Sequence, residues 1–207
     1  ARWALFNTNQ AVEIREVDLK NKPFELIKIS SKATVPVLET NQNELIDESI
    51  KIMIWTIRKA NMYELLGSEE DEKSKEIFRL VDTNDKIFKF HLDRFKYASR
   101  FKYQDLTLHQ DAGMEILISL NNRLKDSSIK GQSLFLVNAK ESLADWAIWP
   151  FVRQFRIADI KTFDENNEIL YLRKWLEYFL SHESYPIIMK KYKPWNVTSD
   201  QEFFSSN

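Results

Sequence analysis

Residues 34–49 read Thr34-Val35-Pro36-Val37-Leu38-Glu39-Thr40-Asn41-Gln42-Asn43-Glu44-Leu45-Ile46-Asp47-Glu48-Ser49. The apolar run Thr34 to Leu38 suits a short strand, the polar stretch Glu39 to Asn43 its turn, and Leu45-Ile46 the returning strand of a hairpin. A helix follows at once. Ile50, Met53, Ile54 and Ile57 recur at i, i+3, i+4 and i+7, which predicts one buried face.

Working outward toward the N-terminus, Asn21-Lys22-Pro23 opens a short helix through Ile29, because a first turn tolerates a residue without an amide donor. Val12 and Ile14 alternate with Glu13 and Arg15 as a half-buried strand, and Ala1 to Thr8 reads as a helix entered in mid-pattern. The order is partial helix, strand, helix, strand, strand, helix in about 60 residues.

Beyond residue 60 the strand signals stop. Asn61 to Ser68 suits a linker, with Gly67 just before Glu69-Glu70-Asp71-Glu72, an acidic run fit for a helix N-terminus and a solvated face. Ile77, Leu80, Val81, Phe88, Leu92 and Phe95 keep helical spacing, and a second helix from Gln104 to Leu124 carries Leu117, Leu120 and Leu124. Ser142-Leu143-Ala144-Asp145 puts a hydroxyl at a helix start and a carboxylate three residues on, a capping-box variant. Ala144, Ala147, Ile148, Phe151 and Phe155 follow one face of that helix, and a last one is expected from Glu168 to Ser181.

Composition narrows the function classes. Thirty basic residues balance 31 acidic ones, so no bulk field draws the chain to nucleic acid or anionic lipid. The three glycines, Gly67, Gly113 and Gly131, lie too far apart for G-x-G-x-x-G or a P-loop, and no G-x-S-x-G is present. Zero cysteines exclude disulfides and thiolate metal sites within these residues and fit a reducing compartment. His91, His109 and His182 are scattered without metal-ligand spacing, so no metal is expected. With no signal-peptide pattern and no apolar run able to span a bilayer, the expected location is cytoplasmic. Asn196-Val197-Thr198 is then a chance sequon.

Leu19-Lys20-Asn21-Lys22-Pro23, Thr34-Val35-Pro36-Val37-Leu38, Ile46-Asp47-Glu48-Ser49 and Ser142-Leu143-Ala144-Asp145, in that order and spacing, resemble the glutathione S-transferases, most closely omega-like and related bacterial members. The resemblance implies a thioredoxin-like, α+β N-terminal domain over residues 1–60, a linker over 61–67 and an all-helical domain over 68–207. It further implies glutathione as co-substrate, a small electrophilic or disulfide second substrate, no metal, and a homodimer.

Carried onto this sequence, the resemblance gives five glutathione-binding positions. Val35, before a cis Pro36, would pair its backbone with the cysteinyl unit of the tripeptide. Glu48 and Ser49 open a helix, where free amides and the positive end of the dipole suit the γ-glutamyl α-carboxylate; Ser49 would bind that carboxylate and Glu48 meet the ammonium. Lys22 would hold the glycyl carboxylate. Ser142 and Asp145 would cap a core helix and touch no substrate.

The residue that activates the thiol is unknown and expected upstream of Ala1, since family members carry a Cys, Ser or Tyr on the turn before their first helix. A Cys there would act through mixed disulfides with glutathione, whereas Ser or Tyr would stabilise the glutathione thiolate; the Lys22 pattern leans to Cys. The second substrate is expected between the domains, by the helix carrying His91, Arg94, Phe95 and Tyr97. The alternative is a non-catalytic stress or regulatory protein-binding module on the same fold.

Overall fold

In the computed structural model the described residues are 1–68, 71–101, 105–129 and 134–206, so Glu69, Glu70 and Gln104 lie outside them. The chain divides into two units: Ala1–Tyr63 together with the residues from Glu183 onward, and Glu64–His182. This differs from the expected helical domain over 68–207. The C-terminal segment joins the first unit because its last strand pairs with the first strand of the chain.

In the first unit, helix α1 (Arg2–Asn7) buries Trp3, Ala4 and Leu5 and is followed by β1 (Val12–Glu13). Helix α2 (Phe24–Ile29) starts after Pro23, as the sequence predicts, and is anchored by buried Leu26. The hairpin forms from β2 (Leu38–Glu39) and β3 (Leu45–Ile46), in register Leu38 to Ile46 and Glu39 to Leu45. Asn43 takes a left-handed φ of 60° at its tip, a conformation that asparagine tolerates. The ladder is shorter than the expected strand, since Thr34 to Val37 lie outside it.

Helix α3 (Ser49–Lys59) follows β3 and buries Ile52, Met53, Thr56 and Ile57. Its core stripe is therefore turned from the predicted one: Ile50 and Ile54 are half-buried, while Thr56 enters the core by donating its hydroxyl to the Met53 carbonyl at 2.8 Å. That bond removes the cost of burying a hydroxyl, which hydrophobic periodicity alone does not foresee. The short helix α10 (Tyr185–Ile188) packs against α1.

Antiparallel β4 (Phe203–Phe204) pairs with β1, with Phe204 opposite Val12 and only 1% exposed. The backbone N–H of Ile14 donates to Glu202 at 2.8 Å and that of Trp195 to Glu16 at 2.8 Å. Arg2 donates to the Lys190 carbonyl at 2.9 Å and to the Glu16 carboxylate at 2.8 Å. Among the described residues, the strands form two separate two-stranded sheets.

The second unit is helical. Helix α4 (Glu72–Thr83), a π-helical turn (Asn84–Phe88) and α5 (Lys89–Lys96) form one segment that buries Ile77, Leu80, Val81, Phe88 and Leu92. Helix α6 (Leu106–Ile129) packs on α5 and α9 (Leu170–Leu180), and α7 (Leu143–Ala158) packs on α4, α5 and α9. Gly113 lets α6 approach α7, since a Cβ there would stand 2.5 Å from the Phe155 ring. Helix α8 (Ile160–Glu165) lies between α7 and α9 in sequence and has no counterpart in the sequence reading.

At the start of α7, Ser142 and Asp145 form the expected reciprocal capping box. Asp145 does more than cap. It accepts from the Ser142 amide (2.9 Å), the Ser142 hydroxyl (2.7 Å), the Leu136 amide (2.9 Å) and Trp175 Nε1 (2.9 Å). Burial pushes its carboxyl up, and these donors pull the other way.

Candidate functional site

The site is built by the hairpin. Its antiparallel register sets the segment before β2 and the segment after β3 at the same end, so the residues around Pro36 lie at the end from which α3 departs. The Val35–Pro36 peptide bond is cis, and Val35 is 43% exposed. Buried Ile46 anchors the end of β3, and the chain then passes through Asp47 and Glu48 into the helix.

Glu48 occupies the N-cap of α3 with extended backbone, φ −132° and ψ 138°, and no side chain caps the helix. The first intrahelical bond runs from the Ile52 amide to the Glu48 carbonyl at 3.0 Å. The amides of the first turn, Ser49 among them, are therefore the positive end of an 11-residue helix. Such an end suits a carboxylate.

Four charges alternate around it. Lys32 Nζ stands 3.2 Å from Asp47 Oδ2 and 3.7 Å from Glu48 Oε1. Lys51 Nζ stands 2.9 Å from Glu48 Oε1 and 3.7 Å from Asp47 Oδ1. The hydrogen bond from Lys32 holds the Asp47 carboxyl below its ordinary range, and that from Lys51 does the same for Glu48. The same contact raises Lys51. Both acids are thus carboxylates at neutral pH.

Of the five positions taken from the resemblance, Val35, Pro36, Glu48 and Ser49 lie on these two adjoining segments. Lys22 is half-buried on the loop before Pro23, and no described hydrogen bond or ion pair ties it to the others. Sequence reasoning missed Lys32 and Lys51. Lys51 was legible, being one helical turn from Asp47 and Glu48, whereas Lys32 arrives from the loop after α2 with no local spacing to announce it. Its neighbour Ala33 takes a left-handed φ of 46°, a conformation costly to a residue with a Cβ, and its amide donates to the Ser30 carbonyl at 2.9 Å.

In the helical unit, the side chains suggested for a second substrate have partners of their own. His91 and His109 bring their Nδ1 atoms to 3.0 Å, Arg94 lies over the Phe90 ring at 3.5 Å, and Phe95 packs on Phe155 with ring centroids 5.0 Å apart. Trp146 and Trp149 are buried, the latter stacked on Phe179. Among the described residues no three His, Asp or Glu side chains converge as a metal site, and no helix is long and apolar enough to cross a membrane.

Comparison with known proteins agrees with this architecture. Residues 1–62 match the sequence model of the glutathione S-transferase N-terminal domain. No curated protein sequence matches the chain. Among solved structures, a glutathione S-transferase from Rhodospirillum rubrum F11 is 17% identical with TM-score 0.60, covering 84% of this chain and 78% of that one. Glutathione transferase URE2P6 from Phanerochaete chrysosporium, solved with oxidized glutathione, is 16% identical with TM-score 0.66, over 80% of this chain and 76% of that one. A sphingomonad glutathione S-transferase complexed with glutathione is 12% identical with TM-score 0.67, over 84% and 83%. Residues 1–62 are thus similar to the glutathione S-transferase N-terminal domain, and the chain shares the thioredoxin-like and helical fold of the solved glutathione transferases.

Proposed function

We propose that the first unit binds glutathione at the Pro36 end of its hairpin and that the protein catalyses thiol transfer or conjugation with a small disulfide or electrophilic co-substrate. The observation that carries this reading is the juxtaposition of an exposed backbone segment at Val35–Pro36 with the uncapped start of α3. An extended peptide needs backbone donors and acceptors along one side, and its terminal carboxylate needs amides and positive potential at one end. Val35 supplies the first. Ser49, with the helix start, supplies the second.

In this reading Glu48 meets the ligand's ammonium and Lys22 reaches the glycyl carboxylate from its loop. Within these 207 residues there is no cysteine, so the only thiol they could hold is the ligand's own. A homodimer is part of the same reading.

Calorimetric titration of glutathione into the protein tests it. Saturable binding is expected, weakened roughly tenfold or more by Ser49→Ala, the worth of one hydrogen bond to a charged group. Thermal stability should hardly change, since no side chain caps α3 in the free protein. A well-folded protein that does not bind glutathione would favour the non-catalytic alternative.

A further inference from the structure

The acids at the start of α3 are already paired. Lys32 reaches them from the turn closed by the Ala33 amide on the Ser30 carbonyl and lies across both Asp47 and Glu48, while Lys51 closes the group from within the helix. The two lysines neutralise the two carboxylates. The γ-glutamyl end of glutathione brings an ammonium next to its α-carboxylate, and that ammonium competes with the lysines already on these carboxylates for the same negative charge. Lys51 is one helical turn from Glu48 and moves with it. Lys32 belongs to another segment, and its side chain is 60% exposed, so it is the partner that can leave.

We propose that Lys32 is a tethered competitor for the ammonium of the ligand, holding Asp47 and Glu48 in the free protein and giving them up on binding. This rests on the glutathione reading above and adds to it a residue that weakens the selection for a free α-amino group. A lysine that merely supplied positive potential would favour the tripeptide with or without its amine. A competitor instead lowers the advantage of the form that carries the amine. The exchange replaces one exposed ion pair by another, so its effect is modest and fades as salt screens it.

The experiment titrates glutathione, and its analogue lacking the α-amino group, into the wild-type protein, Lys32→Gln and Lys32→Arg at low and high salt. NMR titration of the Asp47 side chain in each ligand-free protein runs alongside. In Lys32→Gln the ratio of glutathione to analogue affinity should rise roughly two- to fivefold at low salt and return toward the wild-type ratio at high salt, with Lys32→Arg close to wild type. The Asp47 carboxyl should move up toward its ordinary range in Lys32→Gln. An unchanged or lower ratio in Lys32→Gln, with wild-type binding intact, overturns the competitor role and leaves the glutathione reading standing. Absence of glutathione binding by the wild type, with the Asp47 shift still seen, overturns the glutathione reading and the competitor role together while keeping the ion pair.

Discussion

Asp145→Ala would strip a shared acceptor from the Ser142 amide, the Leu136 amide and Trp175 Nε1, all in the interior of the helical unit. Each buried donor left without a partner costs about 1–3 kcal/mol, so the expected loss is roughly 3 kcal/mol or more in chemical denaturation followed by circular dichroism. A helix cap alone would cost roughly 1 kcal/mol, so the size of the loss separates the two roles. The Ser142–Asp145 pair was legible because a cap is a local device with fixed spacing. Trp175, which joins it from α9, was not, since nothing in the spacing of two distant helices says which indole meets which carboxylate. Lys32 escaped notice for the same reason, and Lys22 shows the converse: its motif is plain in the sequence, while among the described residues no hydrogen bond or ion pair reaches it.

The helices α6 and α7 meet where Gly113 faces Phe155, whose ring also packs on Phe88 and Phe95. Gly113→Ala is expected to destabilise by about 1–3 kcal/mol despite the better helix propensity of alanine, because the added methyl overfills a closed contact. Phe155→Leu in the same chain should recover part of that loss, which thermal melts of the single and double variants would show. Between α5 and α6 the control is electrostatic. Two imidazoles at Nδ1–Nδ1 3.0 Å need one donor and one acceptor, and burial, then His109 and Arg94, hold His91 below its ordinary value of 6.5. The unfolded chain therefore takes up the proton first. The stability due to this group is present above pH 6.5 and is lost as the pH falls from there through the folded value. Urea titrations between pH 7 and 5 should show stability declining in the wild type and declining less in His91→Gln. The predicted helical face was right on α4, where apolar packing alone set it; on α7 Trp146, Trp149 and Val152 are buried as well while Phe151 is half-buried, and on α3 the face is turned, where a hydroxyl bonded to its own helix takes a core position.

For the chain as a whole, the two kinds of unit were legible because the hairpin signals stop near residue 60 and only helical spacing follows. The place of the C-terminal segment was not. Strand pairing between Val12 and Phe204 is decided by the shape of the folded first unit, and a two-residue apolar strand has no periodicity to read. Deleting residues 194–206 is expected to remove the buried Phe204 together with the backbone bonds from Ile14 and Trp195. The first unit should lose roughly 3 kcal/mol or more, the scale of a deleted core phenylalanine. Hydrogen exchange should show this as lost protection in β1 and α1, with α6 and α7 unchanged.

That pairing also sets an order of events during synthesis. Residues 64–182, which make up the helical unit, leave the ribosome after Val12 and before Phe204. At roughly 5–20 residues per second, about 10 to 40 s separate the emergence of the two strands that must meet. For that interval β1 waits unpaired while the helical unit is free to form, so a strand made before the helical unit is completed only after it.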